Sequence, residues 1–323
     1  PPHLDPTAGA AAAIDEIVYA NLFEGLTRID DNGAVQPQLA ESWDVSGDGL
    51  VYTFTLQDGV KFHDGTNFDA DDVVFSLDRA RADGSVNAQK QLFAAIDTVE
   101  AVDARTARIT LSRPEGRLLF NLGWGDAVIV APESAANNKV APIGTGPYKF
   151  ARWVRGSQIR LVASGDDGPA IRKVTFRFVP DPSAQVAALK AGDIDAVSNL
   201  QAPEAVLALQ ADPNFEVAIG STEGETILSM NNTRPPLNDI RVRQAIAHAI
   251  DRQAIIDGAM FGFGTPIGTH FAPHHPAYVD LLDTYLYDPA KARALLADAG
   301  QSDLKLTLKL PPPTYARRGG EIL

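Results

Sequence analysis

The order of hydrophobic segments from Val174 onward constrains the fold more than any other feature of this sequence. Five consecutive segments read as strand, helix, strand, helix and strand, over residues 174–179, 182–192, 194–197, 203–210 and 215–219. Pro182 stands at the first turn of the first helix, and Gly192 follows its last turn, which is the usual asymmetry of helix ends. Short strands alternating with helices of this length are typical of an α/β layer. The sequence therefore predicts an α/β fold class.

Size and charge limit the function classes that fit the chain. At 323 residues it is too long for one ordinary compact domain, so we expect two domains or one with a large insertion. Its 28 Lys and Arg against 41 Asp and Glu give a formal net charge of −13, which argues against binding of duplex nucleic acid. No run approaches the ~18–20 apolar residues of a membrane span. The absence of cysteine excludes disulfide scaffolds and thiolate metal sites.

The two ends of the sequence look trimmed. The chain opens on Pro1 without a starting Met and closes on residues 317–323, which read like the start of a helix. We expect an internal portion of a longer protein, so the absence of a signal peptide here is uninformative.

Further helices and strands are predicted along the chain. A first helix is expected over residues 11–23, and Asp69 stands where the N-cap of a second helix should lie. The strongest helix signal follows Asn238 or Asp239 and ends at Gly258. Strands are predicted over residues 51–56, 99–102, 107–111, 159–163, 226–231 and 304–310.

Enzyme and metal chemistry find little support in the motifs. Residues 144–147 (Gly-Thr-Gly-Pro) lack the spacing of a phosphate-binding loop, and Pro147 removes an N–H, so this segment reads as a turn. No Gly-x-Ser-x-Gly nucleophile elbow occurs. His270, His274 and His275 could bind a transition metal, but they lie in a Pro-interrupted loop and read better as solvated histidines. We therefore predict no enzyme, no cofactor and no metal site.

Four aromatic residues give a different indication. Tyr19, Phe23, Trp124 and Tyr148 stand at or beside the ends of predicted elements rather than within apolar stripes. Rings in such places can line a ligand cleft, although packing in a core is their more common fate. Both interpretations remain open on this evidence.

Several stretches, taken together and in this order, resemble a known family. They are NLFEGLT at 21–27 with PQLAESW at 37–43, LQDGVKFHDG at 56–65 with FDADDV at 68–73, GTGPY at 144–148, and NNTRPPL at 231–237 with RVRQAI at 241–246 and AIDR at 249–252. In these motifs the chain is similar to family 5 of the extracellular solute-binding proteins, which serve peptide- and nickel-type ABC importers. The match covers nearly the whole chain.

The resemblance implies a two-lobed periplasmic binding protein fold of type II, which closes on its ligand by hinge motion and has an extra subdomain in the first lobe. Members normally begin earlier and continue further, so the chain looks truncated at both ends. The implied assignment is a first lobe at 1–36 and 141–228, the extra subdomain at 37–140, a hinge at 229–232 and an incomplete second lobe at 233–323.

The same resemblance implies a function. We expect a non-enzymatic periplasmic substrate-binding protein, a monomer whose precursor carries a signal peptide. It would capture a peptide-like or other small polar solute by lobe closure and deliver it to the permease subunits of an ABC importer, its only link to the membrane. The alternatives are a ligand-sensing module of a transcription regulator, or the same fold binding a sugar, an opine or a nickel chelate, the last with His270 or His275 taking part.

Ligand-binding residues follow from the resemblance only. The family lines its cleft from the first helix, from the loop near the end of the extra subdomain, from the hinge strand and from the second lobe. Carried over to this sequence, these places select Tyr19, Asn21, Trp124, Tyr148, Met230, Asn231 and Asn232. Their expected roles are stacking and hydrogen bonding, with backbone groups contributing much of the recognition.

Overall fold

The computed structural model describes residues 1–9, 11–165, 168–222, 224–275, 277–311 and 314–323. Its contacts divide the chain into two compact units, Pro1–Phe178 and Val179–Leu323. Within the described residues, the first unit is mixed α/β and contains the strands, whereas the second is built from helices and extended segments.

Three antiparallel sheets form the framework of the first unit. Their strands are β1 (Thr27–Ile29), β2 (Val35–Pro37), β3 (Ala40–Val45), β4 (Val51–Leu56), β5 (Ile96–Asp103), β6 (Thr106–Leu111), β7 (Tyr148–Val154), β8 (Gln158–Ala163) and β9 (Lys173–Arg177). The strand orders are β1-β2, β3-β4-β6-β5 and β7-β8-β9. Alternate residues of β4 are buried, and Phe54 lies opposite Ala107 of β6 across the ladder. This period of two is what the sequence predicts for a sheet with one buried face.

The helices of the first unit are short apart from one. They are α1 (Ala12–Val18), α2 (Ala70–Arg81), α3 (Leu118–Asn121) and α4 (Pro132–Ala135), with 3-10 turns at Pro6–Ala8, Lys90–Phe93 and Gly125–Ala127. The N-cap predicted for α2 is confirmed, since the Asp69 carboxylate accepts from the Asp71 N–H at 2.9 Å. The carboxylate of Asp72 accepts in return from the Asp69 N–H at 3.0 Å, which completes a capping box.

The first helix ends five residues earlier than the sequence predicts. α1 stops at Val18, and Ala20 takes a left-handed backbone conformation with φ 55°. The chain then folds back, so that the N–H groups of Leu22 and Phe23 both donate to the Val18 carbonyl. The prediction of a helix over 11–23 is wrong in its second half, because the apolar residues after Val18 reach the core through this turn.

Two hydrophobic cores stabilise the first unit. The larger lies between the four-stranded sheet and α2, and its fully buried members include Phe54, Val73 and Ile109. The second joins α1 to the β7-β8-β9 sheet through Ile14, Phe23, Val130, Tyr148, Ile159 and Leu161. Residues 118–131 contribute to both cores, so the segment that carries Trp124 is anchored on each side.

The described part of the second unit contains six α-helices. They are α5 (Pro182–Ala191), α6 (Pro203–Gln210), α7 (Ile240–Ala249), α8 (Arg252–Met260), α9 (Pro289–Asp298) and α10 (Thr314–Ile322), with a 3-10 turn at Leu282–Tyr285. The strongest predicted helix is in fact two helices. Ile250 is extended, and the Asp251 carboxylate accepts from the Ala254 N–H at 3.0 Å, which caps α8 as a new helix.

Four predicted strands of the second unit do not form ladders in the described residues. The segments 194–197, 215–219, 226–231 and 304–310 contain no residue in a strand. Only the first strand of the predicted strand–helix alternation forms, as β9, and it pairs with β8 in the first unit. A strand needs a hydrogen-bonded neighbour to be stable. Without one, side chains of these segments that were expected to be buried stay exposed; Leu306, for example, is 49% exposed. No helix among the described residues has the length and apolar character needed to cross a membrane.

Candidate ligand-binding site

The end of α1 places Tyr19 against the segment that precedes Trp124. Tyr19 follows the last residue of α1 in an extended conformation, half-buried, and its hydroxyl donates to the backbone carbonyl of Gly123. Burial raises the pKa of the Tyr19 phenol, which Arg28 opposes and Asp15 reinforces. The hydroxyl is therefore a structural tie. The ring packs partly against the second core, and only the rest of its surface remains for stacking.

Trp124 is the exposed aromatic residue of this site. It precedes the 3-10 turn Gly125–Ala127, and its side chain is 40% exposed. The indole lies edge-on to Phe120, with ring centroids 6.2 Å apart, and the Arg117 guanidinium lies 5.2 Å from the centroid of that same Phe120 ring. Edge-to-face contact fixes the orientation of an exposed ring. The arrangement presents a supported apolar surface with a cation at its margin.

Asn21 and Tyr148 lie together in the structure, but with different exposure. The Asn21 side-chain amide donates to the carbonyl of Ile17 at 3.1 Å, and its backbone carbonyl accepts from the Tyr148 N–H at 2.9 Å. Tyr148 begins β7 and its side chain is 9% exposed, within the second core. In this structure Tyr148 therefore packs, while Asn21 is only half-buried and keeps its side-chain oxygen available.

The Gly-Thr-Gly-Pro motif packs its backbone against residues 21–23. A Cβ on Gly144 would lie 2.0 Å from the Leu22 carbonyl oxygen, and a Cβ on Gly146 would lie 2.6 Å from that of Asn21. The Gly146 N–H donates to Leu22 at 3.0 Å. These contacts explain why glycine stands at both positions, and they give the motif a structural role.

Two carboxyl groups lie close to the turn that follows Trp124, one on α1 and one within the turn itself. A Cβ on Gly125 would meet the Asp15 carboxylate at 2.5 Å, and Asp126 is the next residue along the chain. Asp126 is 5% exposed, and burial, followed by the charge of Asp15, raises its pKa to about 6. Burial also raises the pKa of Asp15. The candidate site therefore rests on a pair of acids that resist ionisation.

The remaining predicted site residues belong to the second unit. Met230 is half-buried, whereas Asn231 and Asn232 are exposed. The Asn231 side-chain oxygen accepts from the Thr233 N–H at 3.1 Å and from its hydroxyl at 2.8 Å, an Asx turn that fixes the local backbone. The structure thus gathers Tyr19, Asn21, Trp124 and Tyr148 in one unit and leaves residues 230–232 in the other.

Sequence reasoning missed the acids and the glycines around Trp124. Asp15 lies four residues before Tyr19, whose N–H donates to the Asp15 carbonyl at the end of α1, and that spacing was a readable signal. Gly123 and Gly125 flank Trp124, which indicates close backbone approach. Asp126 could not be recognised, since its burial depends on elements distant in sequence.

The loop histidines have other partners. A ring nitrogen of His270 lies 2.8 Å from the Glu225 carboxylate, and the His275 ring stacks on Phe271 with centroids 4.6 Å apart. Throughout the part of the chain that the structure describes, no group of three or more metal-ligating side chains is found.

The architecture defines a class when it is compared with solved structures. The chain matches the periplasmic binding protein AgaA of A. tumefaciens R10, in complex with agropinic acid, with a TM-score of 0.81 and 28% identity over 100% of this chain and 67% of that one. It matches the ABC transporter-associated periplasmic binding protein DppA of Helicobacter pylori, in complex with the peptide STSA, with a TM-score of 0.80 and 31% identity over 93% of this chain and 64% of that one. The α/β fold is that of two-lobed periplasmic binding proteins.

The particular family follows from the sequence. The chain belongs to the bacterial extracellular solute-binding proteins, family 5, whose family model matches residues 34–320. The glutathione-binding protein GsiB of Salmonella paratyphi A is 33% identical over 308 residues, which cover 93% of this chain and 60% of that protein. The resemblance predicted from the motifs is confirmed, and the chain spans about 60% of the length of this relative.

Proposed function

We propose that the protein to which this chain belongs is a periplasmic substrate-binding protein of an ABC importer, which captures a peptide-like or other small polar solute. Membership of family 5 supports this proposal, and so do the relatives named for glutathione binding or solved with a bound peptide. The observation that carries it in this chain is the exposed, edge-supported Trp124, which directly follows the residue that the Tyr19 hydroxyl contacts. A supported aromatic surface next to polar backbone groups is a common way to hold a small polar ligand.

The proposed binding residues differ in the contacts that each can make with a solute. Trp124 and the ring of Tyr19 offer stacking surfaces, and Asn21 offers a side-chain oxygen. Tyr148 acts from the core, where it holds the backbone of Asn21 in place. Met230, Asn231 and Asn232 complete the proposed set as the hinge segment.

Lobe closure is the proposed mechanism. A first lobe at 1–36 and 141–228 with its subdomain at 37–140 closes toward a second lobe beginning at 233, about a hinge at 229–232. Contacts to both lobes shift an existing equilibrium toward the closed form. The permease subunits then recognise that form. On this account the protein is a non-enzymatic monomer without a cofactor, made with a signal peptide, and it reaches the membrane only through the permease.

A thermal-shift screen of the complete mature protein tests the proposal. The panel contains glutathione, di- and tripeptides, an opine, oligosaccharides and a nickel–histidine chelate. A bound solute at about 100 times its dissociation constant adds roughly 2.7 kcal/mol of stability, which moves the melting temperature by several degrees. A shift with glutathione or peptides supports the proposal. A shift confined to sugars or chelates would overturn the solute class, and no shift at all would favour a regulatory module instead.

A further inference from the structure

Asp15, which is half-buried, and Asp126, which is buried, are neighbouring acids that each carry one oxygen without a partner. The Oδ1 atom of each is shielded from solvent and has no hydrogen-bond partner among the residues that the structure describes. Asp15 lies directly against Gly125, so both carboxyl groups border the same three-residue turn, the one that Trp124 precedes. A buried carboxylate without a partner is costly, and an unsatisfied buried polar group calls for an explanation.

The elements packed against this turn bring charged groups that are already paired. The 3-10 turn Pro6–Ala8 carries Asp5 at its start, and α2 carries Arg79. Arg79 bonds Asp5 at 3.2 Å and the Thr7 hydroxyl at 2.6 Å, while the second oxygen of Asp5 accepts from Thr7. The other cation in the last turn of α2, Arg81, pairs with Asp78 of the same helix.

The polar groups nearest to the Asp15 and Asp126 carboxyl groups also have other hydrogen-bond partners. The amide of Asn87 donates to the backbone carbonyl of Asp126 at 2.8 Å, not to its carboxyl group. The Tyr19 hydroxyl donates to Gly123, and Arg28 lies exposed near that phenol. Among the described residues, then, neither a cation nor a hydrogen-bond donor contacts the two Oδ1 atoms. A proton is the smallest cation that can neutralise a carboxyl group whose oxygen is shielded from solvent in this way.

We propose that Asp15 and Asp126 are a proton-dependent positioning pair for Trp124, which holds the indole in its binding position only while the pair carries a proton. This inference deepens the proposed function, because it assumes that Trp124 contacts the solute. Burial and the neighbouring charge of Asp15 raise the pKa of Asp126 to about 6, so the proton is retained in mildly acidic solution. When it is lost, the two neighbouring like charges repel each other and push residues 123–127 away from α1.

Solute binding should then strengthen as the pH falls. The arrangement with Trp124 in place is favoured in the protonated protein, and binding of a solute that needs this arrangement is linked to proton uptake. An asparagine at position 126 keeps the shape of the protonated acid and cannot ionise. The Asp126→Asn variant should therefore behave at neutral pH as the unmodified protein behaves at about pH 5.

The experiment follows Trp124 without solute and with it. The complete protein is labelled with 5-fluorotryptophan, and its 19F spectrum is recorded from about pH 5 to about pH 8; Trp124→Phe identifies the signal. Calorimetric titration with glutathione and with trialanine runs over the same range. Asp126→Asn and Asp15→Asn are compared with Asp72→Asn, whose carboxyl is buried to a similar degree on α2.

We expect the Trp124 signal to shift with a midpoint near pH 6 and solute affinity to fall about fivefold or more by pH 8. Both changes should vanish in Asp126→Asn, weaken in Asp15→Asn and persist in Asp72→Asn. A Trp124 signal that does not titrate, or one that titrates equally in Asp126→Asn and Asp15→Asn, overturns the pair. A signal that titrates as expected while neither solute binds at any pH supports the pair and overturns the proposed function.

Discussion

The hydroxyl of Tyr19 donates a hydrogen bond to the backbone carbonyl of Gly123, a residue 104 positions further along the chain. This bond joins the end of α1 to the residue immediately before Trp124. The exposed indole is thus placed by a helix on one side and by its edge contact with Phe120 on the other. On the proposed function, a surface held in this way needs little reordering when a solute arrives, which favours affinity.

Tyr19→Phe should destabilise the first unit and loosen Trp124. The substitution leaves the buried Gly123 carbonyl without its partner, at a cost of about 1–3 kcal/mol. Urea unfolding measures the loss, and glutathione titration measures the accompanying fall in affinity. Tyr52→Phe is the matched control, because the Tyr52 hydroxyl makes only a long contact of 3.4 Å with the Glu115 carbonyl. Equal stability of the two variants would contradict the structural role of the tie.

Gly144→Ala should be strongly destabilising. A Cβ at this position would lie 2.0 Å from the Leu22 carbonyl oxygen, so the backbone of residues 21–23 must move, at a cost of about 1–3 kcal/mol or more. Gly116→Ala is the control, since a Cβ there meets nothing within 4 Å. Thermal unfolding should show a clear loss for the first variant and little change for the second; a Gly144→Ala protein as stable as the control would refute the close approach.

His63 should make the protein less stable in acid. Its Nε2 lies 2.9 Å from the Gly146 carbonyl, its Nδ1 accepts from the Gly144 N–H at 3.3 Å, and burial lowers its pKa. Because the folded-state pKa lies below the ordinary value of about 6.5, stability is present above that pH and is lost as the pH falls through the folded-state value. His63→Gln should reduce this slope in urea unfolding curves. An unchanged dependence of stability on pH would mean that the burial of His63 does not cause the loss of stability in acid.

Asp72 should have the opposite effect to His63: it should make the protein less stable as the pH rises. Burial, with smaller contributions from Asp69, Glu133 and Asp71, raises its pKa to about 6. The folded protein therefore keeps a proton that the unfolded chain has lost, so stability declines as the pH rises from about 4 to about 6. Asp72→Asn retains an acceptor for the Asp69 N–H and should flatten this part of the profile. If the decline is as steep in the variant, the carboxyl group is ionised in the folded protein throughout.

Local signals predicted the elements that local chemistry determines. The cap at Asp69 and the alternation of β4 both follow from side chains close in sequence. The family was also accessible, since its motifs are contiguous stretches. Asp251 was a readable N-cap as well, and its neighbour Ile250 interrupts what periodicity alone joins into one helix.

Tertiary contacts decided what the sequence could not predict. α1 ends at Val18 because the chain turns back on it at Ala20, which no propensity of residues 11–23 indicates. The alternating residues 304–310 have the pattern of a strand but no ladder partner among the described residues, and pattern alone cannot supply one. Asp15 and Asp126 meet only after α1 packs beside residues 123–127, so their burial is a property of the fold.

Calorimetric titration of the complete protein and of Trp124→Ala tests the central claim most directly. Glutathione and the peptides of the screen are the solutes, Trp124→Phe is the conservative variant, and Val45→Ala is the control, since Val45 is exposed to a similar extent at 45%. We predict saturable binding that weakens about tenfold or more in Trp124→Ala and much less in Trp124→Phe, with Val45→Ala unchanged. Binding of equal strength in the unmodified protein and in Trp124→Ala would contradict the account.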